Sequence, residues 1–385
     1  MKILVVHNNY RSNLIGGEDL VFKREFDALV ELLGKDNVFR YEEFNDNATV
    51  MSLIKNMLFS RKHKKNIFDL VKKHNIDIVH IHNFFPLLST SIFQGAKQAG
   101  AKVVHTLHNY RWWCIGGVLY RDGIGICEKC IQKKFDFSGV NYGCYRNSKI
   151  QSFLAALAFY NFKRINSFKY IDCFFVLTEF QQQKLIEFNI PKGKILIKPN
   201  FNTHSENILI DYNNKSDFVF VGRLEEAKGI VNLIKSWKKI DKKLTIIGDG
   251  PLRNYINENT SENIQYLGNL DNDEVKKILM QSKYLIQLSK WYETFGLTII
   301  EAFQMGTPVI GLDIGTRKNF IVDGYNGFLL NNVDELKSTI DKADQYEFYE
   351  KLVENALDTA KEYSKDKIIK LQMSIYEKII KGESN

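Results

Sequence analysis

A strand-then-helix alternation runs through this chain once and then begins again near residue 218. Residues 2–7, Lys-Ile-Leu-Val-Val-His, read as a buried strand. Residues 18–33 read as an amphipathic helix, with Leu20, Val21, Phe26, Leu29, Val30 and Leu33 at helical spacing. Asp77 to His82, Lys102 to Leu107 and Phe174 to Leu177 read as further strands. Such alternation predicts a parallel, doubly wound sheet. The polar stretch 201–216 reads as a linker. Beyond it, Phe218-Val-Phe-Val221, Leu244-Thr-Ile-Ile247, Tyr284 to Leu288 and Pro308 to Gly311 read as a second set of strands, and 345–382 as helical. A single core rarely grows past ~250–300 residues, so a doubled pattern in 385 residues predicts two α/β domains. The expectation is two Rossmann-like sheets facing across a cleft, with ligands at the carboxyl ends of the strands. The expected boundaries are 1–200 and 201–365, with a C-terminal helix at about 366–385 packing back on the first domain.

Hydrophobic residues make up 44% of the chain and charged residues 25%, which excludes disordered and collagen-like classes. No apolar run nears the ~18–20 residues of a spanning helix. The chain opens on a strand without an apolar leader, so a cytoplasmic protein is expected. The net charge of +8 is uneven. Residues 1–205 hold 29 Lys and Arg against 17 Asp and Glu, a net +12; residues 206–385 hold 24 against 28, a net −4. A half so basic predicts an anionic partner: a membrane surface, a phosphorylated acceptor or nucleic acid. A solvated, Lys-rich surface is the alternative. The sequence carries no helix-turn-helix, zinc-finger or aromatic-sheet signature, which argues against nucleic acid.

Four groups of residues stand at strand ends. Gly16-Gly17-Glu18 follows the first strand and precedes a helix. Glycines let a phosphate approach the backbone, and the helix terminus offers N–H groups; a tight turn explains the pair equally well. Val221-Gly-Arg223-Leu-Glu-Glu-Ala-Lys228-Gly229 puts two cations beyond a strand, Arg suited to a bidentate phosphate grip and Lys to a point charge. Glu293-Thr-Phe-Gly296-Leu-Thr-Ile-Ile-Glu301 sets two carboxylates around a helix that opens at Gly296 and runs to about Met305. The amides of 295–298 would face a ligand anion. Glu293 would accept sugar hydroxyls. Glu301 would accept ribose hydroxyls, and its apolar neighbours Ile299, Ile300, Ala302 and Phe303 predict partial burial. His80, His82, His105 and His108 crowd two strand ends, where a His can bond a substrate hydroxyl. His80 and His105 read as structural, and metal binding by the set lacks carboxylate support.

Residues 2–17, 77–82, 102–109, 219–229, 248–250 and 291–327 resemble glycosyltransferase family 4, the large retaining family with the GT-B fold. The resemblance spans most of the chain, and Arg223, Lys228 and the 293–301 glutamate pair are its most specific part. It implies transfer of a sugar from a nucleoside diphosphate sugar, UDP- or GDP-linked, with no cofactor required for catalysis and no carboxylate nucleophile. By position, Gly16 and Gly17 would approach the donor diphosphate and Arg223 and Lys228 would neutralise it. Glu293 with the amides of Phe295 and Gly296 would hold the donor sugar, beside Leu297, and Glu301 the ribose. His108, in His105-Thr-Leu-His108-Asn109, matches the active-site His near the transferred sugar. The catalytic set is then His108, Glu293, Arg223 and Lys228. One segment departs: in Gly315-Thr-Arg-Lys-Asn319, Thr316 and Asn319 replace the family's second Gly and a Glu. Bacterial enzymes of this look build capsule, O-antigen or exopolysaccharide on a lipid carrier, which implies a lipid-linked saccharide acceptor. A nucleotide-sugar epimerase of the same architecture is the runner-up, and a nucleic-acid-binding protein the remote alternative.

Cys114, Cys127, Cys130 and Cys144 lie in one segment, and Cys127-Glu-Lys-Cys130 has the spacing of a structural zinc site. Four free thiols are the alternative, since a reducing cytoplasm disfavours disulfides. Two further segments combine apolar anchors with cations, as interfacial helices do. They are 55–65, with Arg61, Lys62, Lys64 and Lys65, and 153–170, where Phe153 to Tyr160 precede Lys163, Arg164 and Lys169. They predict reversible docking on the inner face of the cell membrane; packing of the apolar residues inside the first domain is the rival explanation.

Overall fold

The computed structural model describes residues 1–10, 16–47, 49–202, 212 and 215–383. Contacts divide the chain into two units: Met1–Val118 with Glu128–Phe201 and Lys365–Asn385, and Leu119–Cys127 with Asn202–Ser364. Most of the expected linker, 203–211 with 213 and 214, lies outside the described residues.

The first unit begins with β1 (Ile3–Asn9), α1 (Gly17–Leu33), β2 (Val38–Phe44), α2 (Val50–Leu58), α3 (Arg61–His74), β3 (Ile78–Ile81), α4 (Ser91–Gln98) and β4 (Lys102–Thr106). A short antiparallel hairpin, β5 (Tyr120–Arg121) and β6 (Gly125–Ile126), falls in the segment that groups with the second unit. The first unit resumes with α5 (Phe137–Asn141), α6 (Lys149–Arg164), β7 (Cys173–Val176), α7 (Glu179–Glu187) and β8 (Ile195–Ile197). Its sheet runs β2-β1-β3-β4-β7-β8, every pair parallel. Local chemistry sets the helix ends. Ser60 Oγ accepts the His63 amide at 3.3 Å to start α3, and Thr178 Oγ1 accepts that of Gln181 at 3.2 Å to start α7. Asn75 ends α3 in the left-handed region.

The second unit holds β9 (Ser216–Val221), α8 (Ile230–Trp237), β10 (Leu244–Ile247), α9 (Arg253–Asn259), β11 (Ile264–Gly268), α10 (Asn272–Gln281) and β12 (Ser282–Gln287). It continues with α11 (Leu297–Gln304), β13 (Val309–Leu312), β14 (Gly327–Leu330), α12 (Leu336–Asp344) and α13 (Tyr349–Lys361). Its sheet, β11-β10-β9-β12-β13-β14, is again all parallel and covers a core of Phe218, Ile234, Trp237, Tyr284, Ile286 and Ile310. The last helix, α14 (Lys365–Lys381), belongs to the first unit. There Ile375, Tyr376 and Ile379 join Ile3, Phe22, Leu29 and Phe175 in one cluster.

Each sheet has six strands where the sequence reading found four. The strands it missed, β2 and β8, then β11 and β14, are the edges of their sheets.

Candidate active site

In the second unit the chemistry gathers beyond β9 and β12. The loop after β9 closes at Gly229, which has φ +76°, and a Cβ there would fall 2.1 Å from the Leu288 carbonyl oxygen. Only glycine permits that approach. The Lys290 amide donates to Ala227 O at 2.8 Å, which pins the loop to the end of β12. Lys228 is thereby delivered to Glu293, Nζ to Oε1 at 2.6 Å. The same oxygen accepts from Ser289 Oγ at 2.7 Å and Trp291 Nε1 at 3.3 Å. Lys228 also lies over the Trp291 ring, 5.4 Å from its centroid. Burial works to raise the Glu293 pKa, but Lys228, then Arg317, outweigh it and hold the carboxyl below its ordinary value. Glu293 is therefore an ionised, oriented acceptor.

Arg317 was not singled out in the sequence. It is fully buried, with Nε donating to Leu312 O at 2.5 Å and Nη2 to Ser289 O. The unusual segment Gly315–Asn319 is a short 3-10 turn in which Thr316 is buried beside it. Arg223 is the exposed cation, its side chain 72% accessible and 3.5 Å from Glu225. Gly296 caps α11, and the Ile299 and Ile300 amides return to its carbonyl at 2.9 and 3.1 Å. Leu297 is the first helical residue, Glu301 is half-buried one turn on, and Phe295 is buried against Phe320 and Tyr363 at 4.9 and 5.8 Å.

In the first unit the four histidines sort into distinct roles. His105 donates Nδ1–H to Ile81 O at 2.7 Å and accepts the Trp112 indole on Nε2 at 2.9 Å, a structural role. Burial holds its pKa down to about 3. The missing carboxylate comes from α1: Glu25, fully buried, lies 2.9 Å from His80 Nδ1 and 3.2 Å from His82 Nε2. It also meets the Lys198 ammonium and accepts Gln372 Nε2 of α14 at 2.7 Å. Glu25, His80 and His82 are the three metal-capable groups that meet among the described residues; Lys198 already supplies a cation there. Burial raises the Glu25 pKa less than Lys198, His82 and His80 lower it, so the carboxylate stays charged.

That charge assigns protons outward. His82 must donate Nε2–H to the carboxylate, which leaves Nδ1 as an acceptor. His108 Nε2 lies 2.9 Å from that nitrogen and must be the donor. His108 Nδ1 is then a lone-pair acceptor. Burial holds His82 at about 3 and keeps His108 well below its ordinary value, so both rings are neutral near pH 7.

Other expected sites fare differently. Gly16 spends its amide within the fold, donating to Asp19 Oδ2 at 2.8 Å, so this N–H is not offered to a phosphate; Gly17 faces open space. Cys114, Cys130 and Cys144 lie in the first unit, but Cys127 groups with the second and accepts from Arg121 Nη2 at 3.4 Å. Burial, then Asp136 and Cys114, push the Cys130 thiol up to about 12. The 153–160 run divides: Ala155, Ala156, Ala158 and Phe159 are buried, while Phe153 and Tyr160 remain partly exposed beside Ile150. Lys163 is tied to Asp136 at 2.9 Å, and Lys65 pairs with Asp69 on α3.

Two family models match in tandem: Glycosyltransferase Family 4 over residues 42–201 and Glycosyl transferases group 1 over residues 203–359. An uncharacterised glycosyltransferase of Methanocaldococcus jannaschii is 26% identical over 290 residues, 74% of this chain and 77% of that protein. The lipopolysaccharide outer core galactosyltransferase WaaB superposes with a TM-score of 0.66 at 16% identity, covering 98% of this chain and 100% of that one. Anabaena HepE, solved in complex with UDP, gives 0.65 at 14% identity, with 98% and 100% covered. The fold is GT-B, two Rossmann-like α/β domains.

Proposed function

Because this chain belongs to the family 4, group 1 glycosyltransferases, we propose that it moves a sugar, with retention, from a nucleoside diphosphate sugar to a hydroxyl of a lipid-linked saccharide. The observation that carries the donor half is the Lys228–Glu293 pair at 2.6 Å, its carboxylate buried, with Ser289 and Trp291 on the same carboxylate oxygen. It offers an ionised acceptor for sugar hydroxyls beside a cation for phosphate. The exposed Arg223 and the start of α11 add positive potential, which stabilises charge developing on the departing diphosphate. Glu301 takes the ribose hydroxyls. The leaving diphosphate accepts the proton of the attacking hydroxyl, and His108 Nδ1 accepts a hydroxyl of the transferred sugar. Anabaena HepE was solved with UDP, which supports a uridine nucleotide as the first donor to try.

The test supplies labelled UDP-, GDP- and ADP-sugars with and without a lipid extract. Transfer that depends on the extract supports the reading; an isomerised sugar without acceptor would favour an epimerase.

Two further parts of the proposal rest on sequence pattern. The basic face of α3, with the partly exposed Ile150, Phe153 and Tyr160 of α6, docks on anionic lipid. Flotation should require anionic vesicles, weaken as salt rises, and drop with Lys62→Glu, Lys64→Glu and Lys65→Glu; equal flotation on neutral lipid would sink this part. The Cys127-Glu-Lys-Cys130 spacing with Cys114 and Cys144 supports a structural zinc on these four thiols, although they do not gather as a ligand set among the described residues; metal-free, fully active protein would remove it. No helix among the described residues is long and apolar enough to cross a membrane.

A further inference from the structure

A cavity of about 220 Å³ opens in the first unit between Tyr10, Asn45, Phe85, Arg111, Tyr145 and Arg146. Both guanidinium groups sit against the same ring: Arg111 lies 5.7 Å and Arg146 5.3 Å from the Tyr145 centroid, and Arg111 also covers Phe85 at 5.4 Å. Aromatic faces steady cations, yet they cancel no charge. No carboxylate lines the cavity among the described residues, and the Arg111 side chain also hydrogen-bonds Tyr10. Glu18 is the nearby acid, but it is held outside the lining by Asn109 Nδ2 at 2.7 Å and the Tyr10 hydroxyl at 3.3 Å. Two guanidinium groups thus converge on one cavity with no carboxylate in its lining, and Glu18 reaches it only through the Tyr10 hydroxyl, an arrangement that an oxyanion relieves.

Arg111 is also fixed in place. Its amide donates to Asn109 Oδ1 at 3.0 Å, and Nη1 donates to Ile115 O at 3.2 Å. The same residue borders the small cavity at the end of β4 that holds His82 and His108. Arg111 therefore stands between this cavity and the one that His108 lines. The volume is several times the ~30 Å³ share of one water, enough for a phosphate or for the carboxylate end of a sugar.

We propose that this cavity is an oxyanion site in which Arg111 and Arg146 hold the phosphate or carboxylate of an anionic saccharide acceptor, an inference that rests on the transferase reading above. A planar fork of N–H donors on each side suits either group.

The test titrates the full chain, saturated with UDP to fill the donor site, with glucose 6-phosphate, glucuronate and neutral glucose by calorimetry. At least one anionic sugar should bind about tenfold or more tightly than glucose, a difference typical of charge-assisted hydrogen bonds. Binding of the phosphate alone assigns a phosphorylated acceptor, and of glucuronate alone a uronic acid; both outcomes support the site. Arg111→Gln and Arg146→Gln should each weaken the anion about tenfold and leave UDP affinity unchanged. Arg146 is exposed, so its variant keeps the test decisive if Arg111→Gln does not fold. Glucose binding as tightly as the anions, no binding of any of the three, or unchanged anion affinity in Arg146→Gln overturns the site. Failure to bind UDP strikes the donor reading instead, and the titration without nucleotide then still decides the cavity.

Discussion

Lys228, mostly buried, and Glu293, buried, form a pair in which each charge depends on the other. Removing one partner strands the second in a poorly solvated place, at a cost of about 3 kcal/mol or more. Glu293→Ala and Lys228→Met should therefore each lower the unfolding free energy of the second unit by about that amount. Combining Lys228→Met with Glu293→Leu should lose less than the sum, and strictly additive denaturant melts would contradict the pairing. Glu301→Ala tests a different property. It removes a half-buried carboxylate that the proposal gives to the ribose hydroxyls, and should weaken nucleotide binding by about 1–3 kcal/mol; unchanged affinity in calorimetry removes Glu301 from the site. Lys228 and Glu293 were legible in the sequence because each follows a strand and stands near a glycine, and Glu301 because it falls in the helix that opens at Gly296. Ser289, Trp291 and Arg317 were not. An arginine inside Gly-Thr-Arg-Lys-Asn reads as a surface charge, and only the tertiary fold buries it under the Ser289 carbonyl. Glu25 misled in the same way, since Lys23, Arg24 and Asp27 around it suggest a solvated helix face.

Four elements meet at the Glu25 carboxylate: α1 carries it, β3 brings His80 and His82, the residue after β8 brings Lys198, and α14 brings Gln372; one step out, Tyr376 bonds His80 and His108 bonds His82. Gln372→Leu leaves that carboxylate one donor short and should cost about 1–3 kcal/mol in denaturant melts of the first unit. A loss confined to the second unit would contradict this placement of α14. At this scale the central strands were readable, since a strand paired on both sides and covered on both faces must be apolar throughout. The edge strands were hidden for the converse reason. In β2, Val-Phe-Arg-Tyr-Glu-Glu-Phe, only Val38 is fully buried, and β8 has three residues. Neither offers a continuous apolar run, and their pairing depends on a neighbour already in place.

The two units carry opposite net charge in their sequences, and the basic one also buries the titrating histidines. His82 and His105 have folded pKa values of about 3 against an ordinary 6.5, and His80 and His108 are lowered too. As pH falls below about 6.5 the unfolded chain takes up protons that the folded one refuses, so stability falls. Glu25, also lowered, adds a loss of the same sign as pH falls through the ordinary carboxylate range. Melting temperature should decline steadily from pH 6.5 downward, and the first unit should unfold first. Flat stability from pH 7 to 4 would mean that these histidines are not buried as described. Activity, by contrast, should show no inflection near pH 6.5 from His108.

The hairpin segment Leu119–Cys127 has a consequence for anyone recombining such enzymes. The chain passes from one unit to the other after residues 118, 127, 201 and 364. A chimera made with a single crossover at the linker would therefore inherit mismatched parts twice over. Its front half would bring a hairpin that groups with the second unit it left behind, and its back half an α14 whose Gln372 seeks a carboxylate on a foreign α1. Exchanging the second unit of this chain calls for a graft with four seams, in which 119–127 travels with 202–364 and 365–385 stays at home.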